Sequence, residues 1–450
     1  METLTIVMIA LFVLFALIVM RIPIALALLA AGVTGLFFLR DADYSLETAA
    51  HIAFDTPARY VLIVIPLFIA MGIFAKHGTF AQDAFDMAGR LLRKVRGGLA
   101  MATVLTCAGF AAVSGSSVAT VASIGPLAIR EMRRNGYSVT LAAGVVGAAG
   151  TLGVLIPPSV VLVLYGIVSG ESIGALLIAG IIPGILSAFM YFVAIYFWGF
   201  GNSALFVSEK EAQIAAAEEP PLPRRQKLGW TVGAYTLARI LSLMTVVVGG
   251  IYTGIVTATE AAGLGAIVAF IFFLIDTVRG REGFWRPFRQ ATLESISLSS
   301  MVFALLVGAA VFTFFLVLAG VPAMLTTWVT GLAVPDVLIV VIILLAFIPL
   351  GMFLDPISML LIAVPLVHPI VTGMGYDGIW FAILVVKLIE IGLITPPFGM
   401  NAFVVAGASR HVTVEQSFIG IMRFLPVDLL TVALLFMFPP LILWLPNLMM

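Results

Sequence analysis

Charge is what this chain of 450 residues has least of: only 10% of it is Asp, Glu, Lys or Arg. Soluble domains carry about 25%, and so small a share excludes an ordinary water-facing surface. Cysteine occurs once, as Cys107, which excludes an internal disulfide framework. Histidine occurs four times, as His51, His77, His368 and His411, with none of the paired spacing that a metal site shows. The formal net charge is zero, so no excess of one sign points to nucleic acid.

What fills the chain instead is apolar sequence, 62% hydrophobic with a mean hydropathy of +1.19. Runs such as "LTIVMIALFVLFALIVM" (4–20) and "GAIVAFIFFLI" (265–275) recur from end to end. About 20 apolar residues are what a helix needs to cross the hydrocarbon core, and the chain reads as an all-α polytopic membrane protein. Residues 1–20 lack a basic leading region and a small-residue cleavage site, and another span follows at once, so they read as the first transmembrane helix rather than a signal peptide.

The pattern predicts about ten crossings, near 3–20, 22–39, 58–75, 138–165, 172–200, 238–255, 259–278, 296–319, 378–407 and 417–445. Basic residues cluster in three connections: Arg90, Arg93, Lys94 and Arg96; Lys210, Arg224, Arg225 and Lys227; and Arg279, Arg281, Arg286 and Arg289. By the positive-inside rule these lie in the cytoplasm. The segments 41–55, 170–171 and 335–336 are poor in Lys and Arg, which suits the other side and places both termini there. The polar stretch 201–228 reads as a cytoplasmic connector between the halves.

Two further apolar regions do not behave as crossings. Residues 97–129 are preceded by Arg93, Lys94 and Arg96 and followed by Arg130, Arg133 and Arg134, so both ends ask for the cytoplasm. Two crossings of about 15 residues each are too short, which predicts a re-entrant helical hairpin with "SGSS" (114–117) at its tip. Residues 335–369 carry no Lys or Arg at either end and break at "PLGMFLDP", predicting a second hairpin from the opposite face. Each hairpin is followed by an apolar segment with a proline pair, "GTLGVLIPPSVVLVLYG" (150–166) and "IGLITPPFGMNAFVVAG" (391–407). Ser114 precedes Pro157 by 43 residues and Gly351 precedes Pro396 by 45, an internal repeat at a separation of about 240. With five crossings in each half the two copies are inverted, the signature of a secondary transporter with its site near the midplane.

A broken membrane helix leaves carbonyls unpaired before the break and N–H groups unpaired after it. Carbonyls with Ser and Thr hydroxyls suit a small cation, and N–H ends favour a carboxylate. "SGSS" opposite "GTLGVLIPP" makes one such cage; "GMFLD" opposite "GLITPPFGMN" makes the other, with Asp355, Thr395 and Asn401 as its side-chain oxygens. Two cages imply at least two coupling cations. The bland readings are close helix packing at small residues for the Ser-Gly cluster and simple kinks for the proline pairs. Lys387 and Glu390, three apart in a membrane segment, share a helix face and are either functional or a mutually neutralising pair. Glu260 is a helix-start acid or an interface residue. A channel is the competing class, but channel hairpins form one continuous filter, whereas here each hairpin has its own broken helix. An intramembrane serine protease lacks an embedded His or Asp at suitable spacing from Ser114–Ser117.

With these residues in hand, "SGSSVATVASIGPLAIREMRRNGYS", "GTLGVLIPPSVVLVLYG", "GIVTATEAAGLGAIVAF", "LGMFLDPISMLLIAVPLVHPI" and "IEIGLITPPFGMNAFVVAG" resemble, in this order, the large membrane subunit of tripartite ATP-independent periplasmic (TRAP) transporters of the wider ion-transporter superfamily. The resemblance spans most of the chain. It implies a bacterial inner-membrane elevator, driven by sodium, in which a transport domain slides against a scaffold. It implies a separate small four-helix membrane subunit (Q type), a periplasmic substrate-binding protein (P type) and a small organic acid, commonly a dicarboxylate, as substrate. On that pattern residues 1–75 and 229–320 are scaffold, 76–96 an interfacial arm, 97–129 and 335–369 the hairpins, and 138–200 and 378–445 the broken helices with the spans that follow. Carried over, sodium contacts fall on Ser114, Gly115, Ser116, Ser117, Gly153 and Pro157, and on Gly351, Asp355, Thr395, Pro396 and Asn401; substrate contacts fall on Ser116, Pro158, Ser159, Lys387 and Pro397. Three departures stand out: Thr257–Glu260 lacks the family's usual proline, Thr120 stands where Asp is common, and Lys387 where a neutral polar residue is frequent. The alternative is a stand-alone sodium/carboxylate symporter of the same superfamily that needs no binding protein. No small subunit is fused at either end, so that partner is expected on another chain.

Overall fold

A computed structural model describes residues 2–201, 230–279, 283–331 and 334–448. Among the described residues the regular structure is helical throughout, with no β-strand. Apart from residue 201, the connector expected at 201–228 lies outside the described residues.

The first half opens with α1 (Thr3–Val19), α2 (Ile24–Leu39), α3 (Ala42–Ala58), α4 (Val64–Lys76) and α5 (Phe80–Leu91). Next come α6 (Gly98–Ser114) and α7 (Ser117–Arg134), joined by two residues, then α8 (Val139–Gly150), α9 (Leu152–Leu155), α10 (Val160–Ser169), α11 (Ile173–Ala179) and α12 (Ile181–Gly201). The second half holds α13 (Trp230–Met244, continued through one π turn to Tyr252), α14 (Ala258–Arg279), α15 (Trp285–Leu318) and α16 (Val321–Thr330). It ends with α17 (Asp336–Phe353), α18 (Pro356–Gly373), α19 (Gly378–Ile394), α20 (Met400–Ala408), α21 (Val414–Met422), α22 (Leu425–Met437) and α23 (Pro440–Asn447).

Small polar residues decide where the helices restart. Ser116, Ser138, Ser159, Ser172, Asp355 and Asp377 are all N-caps whose side chains accept from a backbone N–H in the first turn. Each such cap is worth about 1 kcal/mol in water, and an apolar surrounding offers the freed N–H groups no other partner.

The packing is reciprocal. In the outer frame α2 packs on α15 and α4 on α14. Gly32 and Gly308 make the first contact possible: a Cβ on Gly308 would lie 2.2 Å from the Ala25 carbonyl oxygen. In the inner body α6 packs on α8 as α17 packs on α19, and α7 packs on α20 as α18 packs on α10. Each hairpin therefore lays its first arm on its own half's broken helix and its second arm on the broken helices of both halves.

Three features differ from the sequence expectation. The stretch 41–55 is not a bare connection but α3, capped by Asp41, which accepts from the Tyr44 N–H at 2.8 Å, and bent 58° from the next helix. The span expected at 417–445 falls into α21, α22 and α23, because Pro426 and the pair Pro439–Pro440 cannot supply ladder N–H groups; the bend between the first two is 43°. The span expected at 296–319 begins instead at Trp285, giving a helix of 34 residues. Six described helices, or nine counting each bent pair as one, are long and apolar enough to cross a membrane.

Candidate functional site

The tip of the first hairpin is built from "SGSS". Ser114 ends α6 and Gly115 caps it at φ 62°, a left-handed conformation that costs other residues about 1–2 kcal/mol. Ser116 caps α7, accepting from the Ala119 N–H at 3.4 Å, and Ser117 is the first residue of that helix. Thr120 joins the tip together: its hydroxyl lies 3.1 Å from Ser114 Oγ and donates to the Ser116 carbonyl at 2.8 Å. The Thr120 hydroxyl thus ties the turn.

This tip sits in the break of the first bent helix. A Cβ on Gly153 would come within 2.6 Å of the Ser116 carbonyl oxygen, and one on Gly115 within 2.4 Å of the Pro158 carbonyl. The two elements therefore touch backbone to backbone. Pro157–Pro158 is cis, both prolines are buried, and Ser159 restarts the helix as N-cap of α10, accepting from Leu162 N–H at 3.2 Å. The structure brings together Ser114, Gly115, Ser116, Ser117, Gly153, Pro157, Pro158 and Ser159, as the sequence expects.

The second break repeats the arrangement with different exposure. Gly351, near the end of α17, lies against Gly392 of α19; a Cβ on Gly392 would be 2.7 Å from Gly351 Cα. Asp355 caps α18, accepting from the Ser358 N–H at 3.1 Å and from the Ser358 hydroxyl. Thr395 caps the end of α19 and donates to the Ile391 carbonyl at 2.6 Å. Pro396–Pro397 is again cis, but these prolines are exposed, and the Phe398 ring meets that of the exposed Phe353 at a tilt of 48°, centroids 5.2 Å apart. Asn401, on the restarted α20, is fully buried with neither amide atom partnered.

Lys387 does not line a cavity. It is fully buried in α19, with Nζ 2.5 Å from Asp428 Oδ1 of α22, and Tyr191 donates to the same oxygen at 2.6 Å. The expectation of a Lys387 substrate contact therefore meets a closed ion pair, and the salt-bridge partner is Asp428 rather than Glu390. Glu390 instead accepts from Ser117 of the first tip at 3.1 Å. Glu260 is the helix-start acid: its carboxylate accepts from the Thr257 N–H and hydroxyl, both at 2.8 Å.

Several buried polar clusters escape sequence reasoning. Arg239 of α13 reaches Asp276 of α14 at 2.9 Å and Asp83 of α5 at 3.2 Å, joining those three helices. His368 of α18 binds the Tyr165 hydroxyl of α10 at 2.9 Å and Glu171 at 3.3 Å. In sequence each is a lone ionisable residue in an apolar segment. Their pairing joins residues 37 to 203 positions apart, which no local pattern encodes.

A family model, the DctM component of the tripartite ATP-independent periplasmic transporter, matches residues 11–441. The C4-dicarboxylate TRAP transporter large permease protein DctM of Pseudomonas aeruginosa is 36% identical over 384 residues, 85% of this chain and 84% of that one. The isethionate TRAP transporter permease protein DctMQ of Oleidesulfovibrio alaskensis is 33% identical over 399 residues, 88% of this chain and 60% of that one. Among solved structures, the YdaH transporter of Alcanivorax borkumensis matches with a TM-score of 0.63 at 16% identity over 89% of both chains, a likeness of fold alone. This chain belongs to the tripartite ATP-independent periplasmic transporter family as its DctM component, a multi-pass membrane permease that works with other TRAP components in solute uptake and is not an enzyme.

Proposed function

We propose that this permease carries out sodium-coupled uptake of a small organic acid across the bacterial inner membrane by an elevator movement. The observation that carries the reading is the paired hairpin and broken helix, present twice with reciprocal packing. The first break sets the capped helix starts at Ser116 and Ser159 within backbone contact of the other element's break; in the second, Asp355 caps the restart after Gly351, which lies against Gly392 of the helix that Thr395 ends. Helix ends of opposite sign converging in an apolar body suit a cation beside a carboxylate.

In this reading one sodium ion lies at Ser114, Gly115, Ser116 and Ser117 with carbonyls near Gly153 and Pro157. A second lies at Gly351, Asp355 and Thr395 with carbonyls near Pro396, and Asn401 supplies an unused buried amide. Substrate lies between them, near Ser116, Pro158, Ser159 and Pro397. Two of the relatives are named for C4-dicarboxylate and isethionate, which favours a small anion. A separate four-helix membrane subunit and a periplasmic binding protein complete the system. The inner body of hairpins and broken helices moves, and the frame of α1–α4 with α13–α15 stays.

The deciding experiment is uptake by the reconstituted permease with its small subunit and loaded binding protein, with and without a sodium gradient. Uptake that collapses without the gradient is expected. Equal uptake in potassium-only buffer refutes sodium coupling, and uptake of free substrate by this chain alone selects the stand-alone symporter.

A further inference from the structure

Positive charge collects at the base of the first hairpin. Thr103 of α6 lies 3.6 Å from Met132 Sδ of α7, so the segment that leads into α6 and the last turn of α7 stand side by side, and α5 packs on both helices. Residues 86–96 hold four basic side chains and residues 130–134 three more, against the acids Asp86 and Glu131, an excess of five positive charges. Glu131 is already engaged, with Arg134 at 3.2 Å. The basic flanks of the hairpin put this base on the cytoplasmic side, where the apolar arms enter the membrane.

Two of these cations are uncommitted. The side chains of Arg93 and Lys94 are exposed and bond to nothing among the described residues. Their neighbours are apolar and bare: Leu91 is 72% exposed and Val95 38%. The face of α5 that the protein does cover is another one, with Phe80, Ala84, Phe85 and Ala88 buried. A surface that sets unpaired cations beside uncovered Leu and Val matches the headgroup level of a bilayer, where the apolar groups meet the acyl boundary and the charges meet phosphate.

We propose that the base of the first hairpin is a docking site for anionic phospholipid of the cytoplasmic leaflet, with Arg93 and Lys94 on the headgroup phosphate and Leu91 and Val95 in the acyl boundary. Charge complementarity selects the occupant. A guanidinium takes two phosphate oxygens in a fork and an ammonium adds a point charge, and clusters of four to eight basic residues beside a membrane helix are what anionic leaflets attract. A neutral lipid would leave Arg93 and Lys94 unused, and a soluble anion would leave Leu91 and Val95 bare. Arg286 and Arg289 at the start of α15 are exposed as well and supply a charge-matched control.

Native mass spectrometry of the whole chain released from detergent, titrated with phosphatidylglycerol or with phosphatidylcholine of the same acyl chains, measures the binding without any transport, so its outcome is independent of the sodium reading. Phosphatidylglycerol is expected to bind more tightly than phosphatidylcholine. Arg93→Gln/Lys94→Gln is expected to weaken phosphatidylglycerol roughly thirtyfold at low salt and to leave phosphatidylcholine unchanged. Arg286→Gln/Arg289→Gln, which removes the same charge elsewhere on the cytoplasmic side, is expected to bind phosphatidylglycerol as the wild type does. Leu91→Ser/Val95→Ser keeps every charge and is expected to weaken phosphatidylglycerol but not glycerol 3-phosphate. All six positions are exposed, so the variants are expected to fold. Equal binding of the two lipids, or undiminished phosphatidylglycerol binding in Arg93→Gln/Lys94→Gln, overturns the proposal. Equal losses in the two charge variants reduce the effect to net charge and overturn the assignment to the hairpin base. Glycerol 3-phosphate bound as tightly as the lipid, with Leu91→Ser/Val95→Ser unchanged, makes this a soluble-anion site and overturns the proposal too.

Discussion

Replacing Gly115 by Ala tests whether the first tip is held in the break of the first bent helix. Two costs add at this position. The residue sits at φ 62°, where a side chain costs about 1–2 kcal/mol. The new Cβ would also lie 2.4 Å from the Pro158 carbonyl oxygen, a backbone atom that cannot rotate away. Overpacking of that sort costs about 1–3 kcal/mol more. Gly170 supplies the control: it has φ 81° and nothing within 4 Å of where its methyl group would stand, so Gly170→Ala carries the backbone cost alone. The assay is thermal unfolding of both variants and the wild type in one detergent. The midpoints should rank wild type, then Gly170→Ala, then Gly115→Ala, with the second step of the same order as the first. Gly115→Ala no less stable than Gly170→Ala would refute the close contact between tip and break.

Asp355→Asn should keep the helix cap, because Asn caps as well as Asp, yet raise the sodium concentration for half-maximal uptake about tenfold, the equivalent of one ligand at about 1.4 kcal/mol; unchanged sodium dependence with normal expression takes Asp355 out of the site. Lys387→Met should cost about 3–5 kcal/mol by leaving Asp428 without its cation, and Lys387→Met/Asp428→Asn should recover most of it; a double variant no better than the single, measured by thermal unfolding, would show that the ion pair is not what the loss removes. Arg239→Lys should destabilise clearly despite keeping the charge, since one ammonium cannot reproduce two separate guanidinium nitrogens bonded to Asp83 and Asp276. Wild-type stability in Arg239→Lys, again by thermal unfolding, counts against that bridge between the three helices.

Much of the local structure around the two breaks is legible in the amino-acid sequence. Basic residues flanking 97–129 mark the first hairpin, and the matched spacing of Ser114 to Pro157 and Gly351 to Pro396 marks the repeat. These signals survive in one dimension because they are set by local chemistry: Ser and Asp cap the restart of a helix, Gly takes the left-handed turn, and Pro cannot continue the ladder. The same chemistry places Glu260 at its helix start. It fails for α3, whose polar content hides a helix, and for 417–445, where two proline breaks read as a continuous apolar run.

What the sequence determined by itself is therefore the class of molecule, the two hairpins as segments and the positions of their breaks, because burial in an apolar medium and backbone satisfaction are enforced residue by residue. Which charges meet is set by the folded chain. Lys387 and Glu390 share a helix face, but Asp428, 41 positions beyond Lys387, takes the ammonium, and Ser117, 273 positions before Glu390, takes the carboxylate. Electrostatic pairing depends on distance in space, and in this fold the nearest charge in sequence is not the one that pairs.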